Sequence, residues 1–245
     1  ESPLGLANIA DLTWAVEGKE HFKGRPYTDI RAIAVAYPLR STIFVRKDSD
    51  IKTLADLKGK RVVDGFTSQK VILPILDAMY ATAGLTSSDM TGVQIPNVGA
   101  GADAFAAGKA DMFFFALGAA KPREVDAAVG GIRMLSIPDT PAALVAIKKH
   151  YSPGYIRAET PSPGNVGVLE PSNSLAYDAL VFSSAKTPDA VAYAVAKLMY
   201  ENAKELGKDF PPFRLFDTKL MVKDFGPLNY HPGALKFYRE VGLVK

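Results

Sequence analysis

Three short segments carry residues able to hold a small anion. The first is Asn8 to Asp11. The second is Tyr37-Pro38-Leu39-Arg40, read as a loop between two strand-like runs. The third is Gly65-Phe66-Thr67-Ser68-Gln69-Lys70, read as the turn from a strand into a helix. Free amides at a helix start attract negative charge, and the Thr67, Ser68 and Gln69 side chains add donors there. Capping of the helix by Thr67 or Ser68 explains the same residues without a ligand. Arg40 presents a planar fork suited to a carboxylate, with a solvated surface arginine as the plain alternative. Phe113-Phe114-Phe115 is mainly core material, but Phe115 to Gly118 sits where it could floor a pocket. A micromolar ligand needs about −8 kcal/mol. Two or three charge-assisted hydrogen bonds at roughly 1.5–3 kcal/mol each, plus some apolar burial, reach that range without a base, nucleophile or metal.

Other chemistries lack their residues. There is no cysteine, so disulfides, thiolate metal sites and Cys nucleophiles are excluded. His21, His150 and His231 are the only histidines, and none has a second ligand at the helical spacing of a zinc site. Neither a G-x-S-x-G elbow nor a G-x-x-x-x-G-K-[ST] loop occurs. Gly99-Ala100-Gly101-Ala102-Asp103-Ala104 only faintly echoes a dinucleotide loop, and a turn before a helix is the better reading. No metal and no cofactor is called for. The net charge is +3, with Lys and Arg scattered singly. Nucleic-acid binders gather that charge into a stripe, so no nucleic-acid partner is expected.

Elements that could position these segments alternate strand and helix along the chain. Strand-like runs are expected at 31–37, 41–46, 94–98, 111–117, 132–137 and 175–183. Helices are expected at 11–21, 66–84, 102–107, 124–129, 142–150, from Thr187 to Leu206, and at 232–241. Pro74 lies inside the second helix, so that helix is either kinked or begins near Pro74. The alternation argues for an α/β fold with mostly parallel sheets. The segment 152–173 is rich in Pro, Gly and Ser and reads as a crossing between lobes. The longest uncharged apolar run, Met112 to Ala120, is about half the roughly 20 residues of a membrane helix.

Longer stretches carry a family resemblance. Val45-Arg46-Lys47-Asp48-Ser49-Asp50-Ile51-Lys52-Thr53-Leu54-Ala55-Asp56-Leu57-Lys58-Gly59-Lys60-Arg61-Val62 resembles a segment shared by many type II periplasmic binding proteins. The ending Tyr230-His231-Pro232-Gly233-Ala234-Leu235-Lys236-Phe237-Tyr238-Arg239-Glu240-Val241-Gly242 and the stretch Ala106 to Phe115 resemble the TAXI family. Its members are solute-binding proteins of tripartite ATP-independent periplasmic (TRAP) transporters. The resemblance implies a Venus flytrap, with lobe one at 1–52 plus 166–245, lobe two at 53–165, and a hinge of two crossing segments.

It also implies a monomer in the periplasm, its signal peptide removed. Such a protein captures a small organic acid or acidic amino acid between the lobes and hands it to membrane permease subunits. It is not an enzyme. The expected ligand-binding residues are Asn8, Leu39, Arg40, Phe66, Thr67, Ser68, Gln69, Phe115 and Gly118. Relatives begin with a strand–turn–helix unit, and the resemblance implies that this chain starts after it. They also carry smaller residues at Phe66 to Gln69, which implies a bulkier pocket here. The rival reading is a cytoplasmic effector-sensing domain of a transcription regulator with the same fold.

Overall fold

A computed structural model describes residues 3–245. The chain forms two compact units, one running up to Leu39 and resuming over Tyr177–Lys245, the other Arg40–Ala176. It passes between them twice, within β2 (Ile30–Arg46) and within β8 (Ser172–Ser184). The divisions fall at 39/40 and 176/177, not at 52/53 and 165/166. The reading of 31–37 and 41–46 as two strands is corrected: Pro38 removes one ladder donor without ending β2. Strand β5 (Met112–Ala116) pairs only with Ser41–Val45, so no β5 carbonyl loses its donor at Pro38.

In the first unit, β1 (Leu4–Asn8) pairs antiparallel with the second half of β8. Helix α1 (Ile9–Glu17) follows β1 directly. Later come α6 (Asp189–Glu201), α7 (Ala203–Asp209) and α8 (Pro232–Glu240). Ile33, Tyr37, Met199, Phe237 and Tyr238 are among the residues of its core, with Leu39 packed against them.

In the second unit, β2 continues between β5 and β6 (Ile132–Met134), and β7 (Tyr155–Glu159) pairs with the first half of β8. A separate pair, β3 (Arg61–Gly65) and β4 (Thr91–Ile95), is parallel. The other registers described are antiparallel, so the expectation of mostly parallel sheets is corrected. The parallel pair is the one joined by a full crossover helix, α2 (Ile72–Ala81), as parallel strands require. Helix α2 starts two residues before Pro74, whose missing N–H falls among the unpaired donors of a first turn.

Helices α3 (Val98–Ala106), α4 (Ala120–Val129) and α5 (Pro141–His150) complete the unit. Gly99 and Gly101 lie inside the first turn of α3. A Cβ on Gly101 would come within 3.3 Å of Val63, so glycine there lets the helix approach β3 closely. The core stacks Phe44 on Phe113 at 5.0 Å between ring centres, with Phe105 against Phe113 at 4.9 Å. Among the described residues, no helix is long and apolar enough to cross a membrane.

Candidate functional site

The carboxyl ends of β3, β4 and β5 share one edge of the second unit. Strands β3 and β4 run in parallel, Gly65 opposite Ile95. The Asp111 amide, just before β5, donates to the Arg61 carbonyl at 2.8 Å, so β5 starts beside the start of β3 and runs the same way. The turns 65–70, 96–98 and 117–119 therefore emerge together. This is the edge at which α/β sheets hold ligands.

Arg40 reaches the same edge from β2, its carbonyl accepting from the Leu117 amide at 2.7 Å. The guanidinium donates from Nη1 to Glu159 Oε2 at 2.9 Å and to Asn165 Oδ1 at 3.1 Å. Its Nη2 makes a longer contact to the Leu117 carbonyl at 3.4 Å. Among the described residues, the Nε–H and the second Nη2–H have no partner. Glu159 is only 4% exposed and its other oxygen accepts from Ser174 Oγ at 2.8 Å. Arg157 Nε lies 3.8 Å from the same oxygen and has no hydrogen-bond partner among the described residues. Two cations thus share one buried carboxylate, which leaves this corner net positive. Glu159 orients Arg40 and does not fill its fork.

Gly118 stands against the guanidinium: a Cβ there would lie 2.9 Å from Arg40 Nη2, and φ is 84°. Helix α4 begins directly after, with Ala119 at its N-cap and no side chain capping it. The uncapped start of α4 thus follows directly on the glycine that Arg40 Nη2 lies against. Such a combination favours a small anion.

The turn after β3 is more closed than the spacing suggests. Phe66 is fully buried and adopts φ 40°, a left-handed conformation that a bulky residue holds only under tertiary constraint. Its ring packs inward, so Phe66 acts as an anchor for the turn. The Ser68 amide is taken by the Pro96 carbonyl at 2.9 Å, and Gln69 Oε1 accepts from the Val98 amide at 2.9 Å. What faces outward is the Thr67 and Ser68 hydroxyls and the Gln69 amide nitrogen. Phe115 is half-buried and packs against the unit's core.

Asn8 and Leu39 belong to the first unit. Asn8 caps α1, accepting from the Asp11 amide at 2.9 Å and donating to Asp11 Oδ2 at 2.5 Å. Burial raises the Asp11 carboxyl above its ordinary value, against the Asn8 bond and the nearby His21, which lower it. Leu39 packs on that unit's core. The structure sets Arg40 against Gly118, and places Thr67 to Gln69 in the turn after β3, bonded to Pro96 and Val98. Glu159, Arg157, Asn165 and Ser174 were not foreseen. They lie in or beside the Pro/Gly/Ser-rich segment, where no local pattern pairs position 159 with position 40.

Comparison with known families matches residues 1–242 to the NMT1-like family. The chain belongs to the NMT1-like family. Solved structures agree on the fold. A periplasmic sulfonate-binding protein of a putative sulfonate ABC transporter from Methylobacillus flagellatus is 16% identical with a TM-score of 0.57, over 98% of this chain and 76% of that one. A periplasmic transporter is 14% identical with a TM-score of 0.53, over 99% of this chain and 75% of that one. The alkanesulfonate-binding protein SsuA of Xanthomonas axonopodis pv. citri, solved with MOPS, is 19% identical with a TM-score of 0.48. This NMT1-like chain is matched over 99% of its residues there but spans 62% of that protein's length. The two matches above a TM-score of 0.5 show its fold: α/β, of the two-lobe type II periplasmic binding protein class.

Proposed function

We propose that this protein is an extracytoplasmic solute-binding protein. It holds a small organic anion at the carboxyl-end edge of its second unit and delivers it unchanged to a membrane permease. The observation that carries the reading is Arg40: a guanidinium fixed by Glu159, with donors to spare, beside Gly118 and the uncapped start of α4. No acid–base or nucleophilic set is needed for capture and release.

The TAXI-like motifs point to a TRAP permease and a carboxylate or acidic amino acid. The sulfonate-binding protein of similar fold suggests the neighbouring class of ligand, a sulfonate, and an ABC-type partner. Both ligand classes present a compact anionic head to the same donors. Calorimetry with succinate, glutamate and ethanesulfonate, on wild type and Arg40→Ala, tests the reading. Micromolar binding of at least one probe, weakened tenfold or more by Arg40→Ala, is the expected result. Equal affinity in the variant removes Arg40 from the site.

A further inference from the structure

The opposite edge of the second unit holds a pocket that the solute reading leaves unused. Its volume is about 190 Å³, and Arg46, Asp50, Lys60, Arg61, Phe105 and Asp111 are among its lining residues. Arg46 ends the β2 segment that Arg40 begins, and six residues of strand at about 3.3 Å each separate the two by about 20 Å. Two of the pocket's cations are matched within it. Lys60 pairs with Asp50 at 3.0 Å, and Arg61 grips Asp111 through Nη2 at 2.6 Å and Nε at 3.2 Å. Arg46 has no carboxylate partner among the described residues. It donates once, from Nη1 to the Val129 carbonyl at 3.2 Å, and its guanidinium carbon lies 5.7 Å from the centre of the Phe105 ring.

A half-buried cation without a counter-charge is costly to desolvate, and one carbonyl and a ring face offset only part of that. We propose that this pocket is a second ligand site, which takes one small carboxylate on the open side of the Arg46 fork. The flat guanidinium over a flat ring suits a planar group, and paired hydrogen bonds from one fork to both oxygens complete its charge. The volume holds a carboxylate of a few heavy atoms together with water. The site is independent of Arg40.

Nitrogen-edited NMR of the full chain with acetate as the probe tests this, against sodium chloride at equal ionic strength. The expected result is saturable shifts at the Gly108, Ala110 and Asp111 amides and at Arg46 Nε, with half-saturation in the low millimolar range, and no such shifts with chloride. Arg46→Met, which keeps an apolar stem over Phe105, removes the response, and Arg40→Lys leaves it intact. Linear drift without saturation, an unchanged response in Arg46→Met, or loss of the response in Arg40→Lys overturns the proposal. If Arg46→Met fails to fold, the Arg46 Nε signal of the unaltered protein decides alone: no acetate-dependent shift there also overturns it.

Discussion

Two turns stand out in the sequence, and the structure treats them in opposite ways. At the start of α8, His231 is 1% exposed and every polar atom of its ring is engaged. The Gly233 amide donates to Nδ1 at 3.2 Å, so Nε2 carries the hydrogen and donates to the Thr187 carbonyl at 2.9 Å. Gly233 has no room for a side chain, because its Cβ would run into the backbone of Asp189 at the head of α6. That turn is a brace, locking two helices together. At the carboxyl edge of the second unit, Thr67, Ser68 and Gly118 are exposed and Arg40 keeps donors in reserve. Conspicuous residues mark both places. What separates a brace from a site is whether the hydrogen-bonding groups are all matched within the protein.

The largest effect is expected at the brace. Gly233→Ala forces α8 away from α6, which should cost about 3 kcal/mol, the upper end for overpacking, because the obstacle is backbone and cannot rotate aside. A guanidinium chloride titration followed by circular dichroism measures it, and a midpoint within error of wild type would deny that the turn is closed. Next comes Glu159→Ala, which strands Arg40 and Arg157 without a carboxylate. Breaking a fully buried pair costs about 3–5 kcal/mol; with Arg40 15% and Arg157 37% exposed, about 2–3 kcal/mol is expected. The same variant should lose solute affinity by more than tenfold, since Arg40 is no longer held. Stability loss with intact affinity would make Glu159 a structural residue only.

Gly118→Ala sharpens the contrast from the other side. Alanine at φ 84° is strained by about 1–2 kcal/mol. Its methyl would displace the end of the Arg40 side chain, which can move, so the protein should fold while solute binding weakens about three- to tenfold. Calorimetry and a thermal melt on the same sample separate the two effects. A variant that loses stability but keeps its affinity would show that Arg40 does not act through Nη2.

Helix and strand types were largely legible from the chain, because periodicity and punctuation report them directly. The α5 and α8 boundaries are close to expectation, each with a proline at its first helical position. The β2 strand was misread because proline is a strong local breaker, yet here the β5 pairing starts only beyond it, at Ser41. Arg40 was named from its loop chemistry, and Gly118 from its place at the end of the Phe-rich strand. Glu159 was not, since a carboxylate 119 residues away is joined to Arg40 only by folding. The turn at Phe66 was located correctly, but the inward ring and the committed Ser68 amide are set by tertiary packing. For the same reason the histidine–proline–glycine turn looks like a family signature in sequence and proves to be a packing device.

The smallest effect tests whether the second unit's remaining acidic residues are braces or bystanders. Burial pushes the Asp77 carboxyl above its ordinary value, His150 opposes this, and the Asp64 charge adds to it. The Tyr80 hydroxyl has no hydrogen-bond partner among the described residues, and burial, with the same two carboxylates adding to it, drives its titration upward. A carboxyl raised on folding binds its proton more tightly in the native state. Its contribution is therefore fully present below the unfolded value near 4 and is lost as pH rises through the folded value. Asp77→Asn should stabilise the protein at pH 7 by under about 1 kcal/mol, since the group is only half-buried, and should leave stability near pH 4 almost unchanged. Thermal midpoints of both proteins from pH 4 to pH 7 make the comparison. A gap that stays constant with pH, or a variant less stable at pH 7, would mean that Asp77 is a matched structural group like His231 and not an isolated charge.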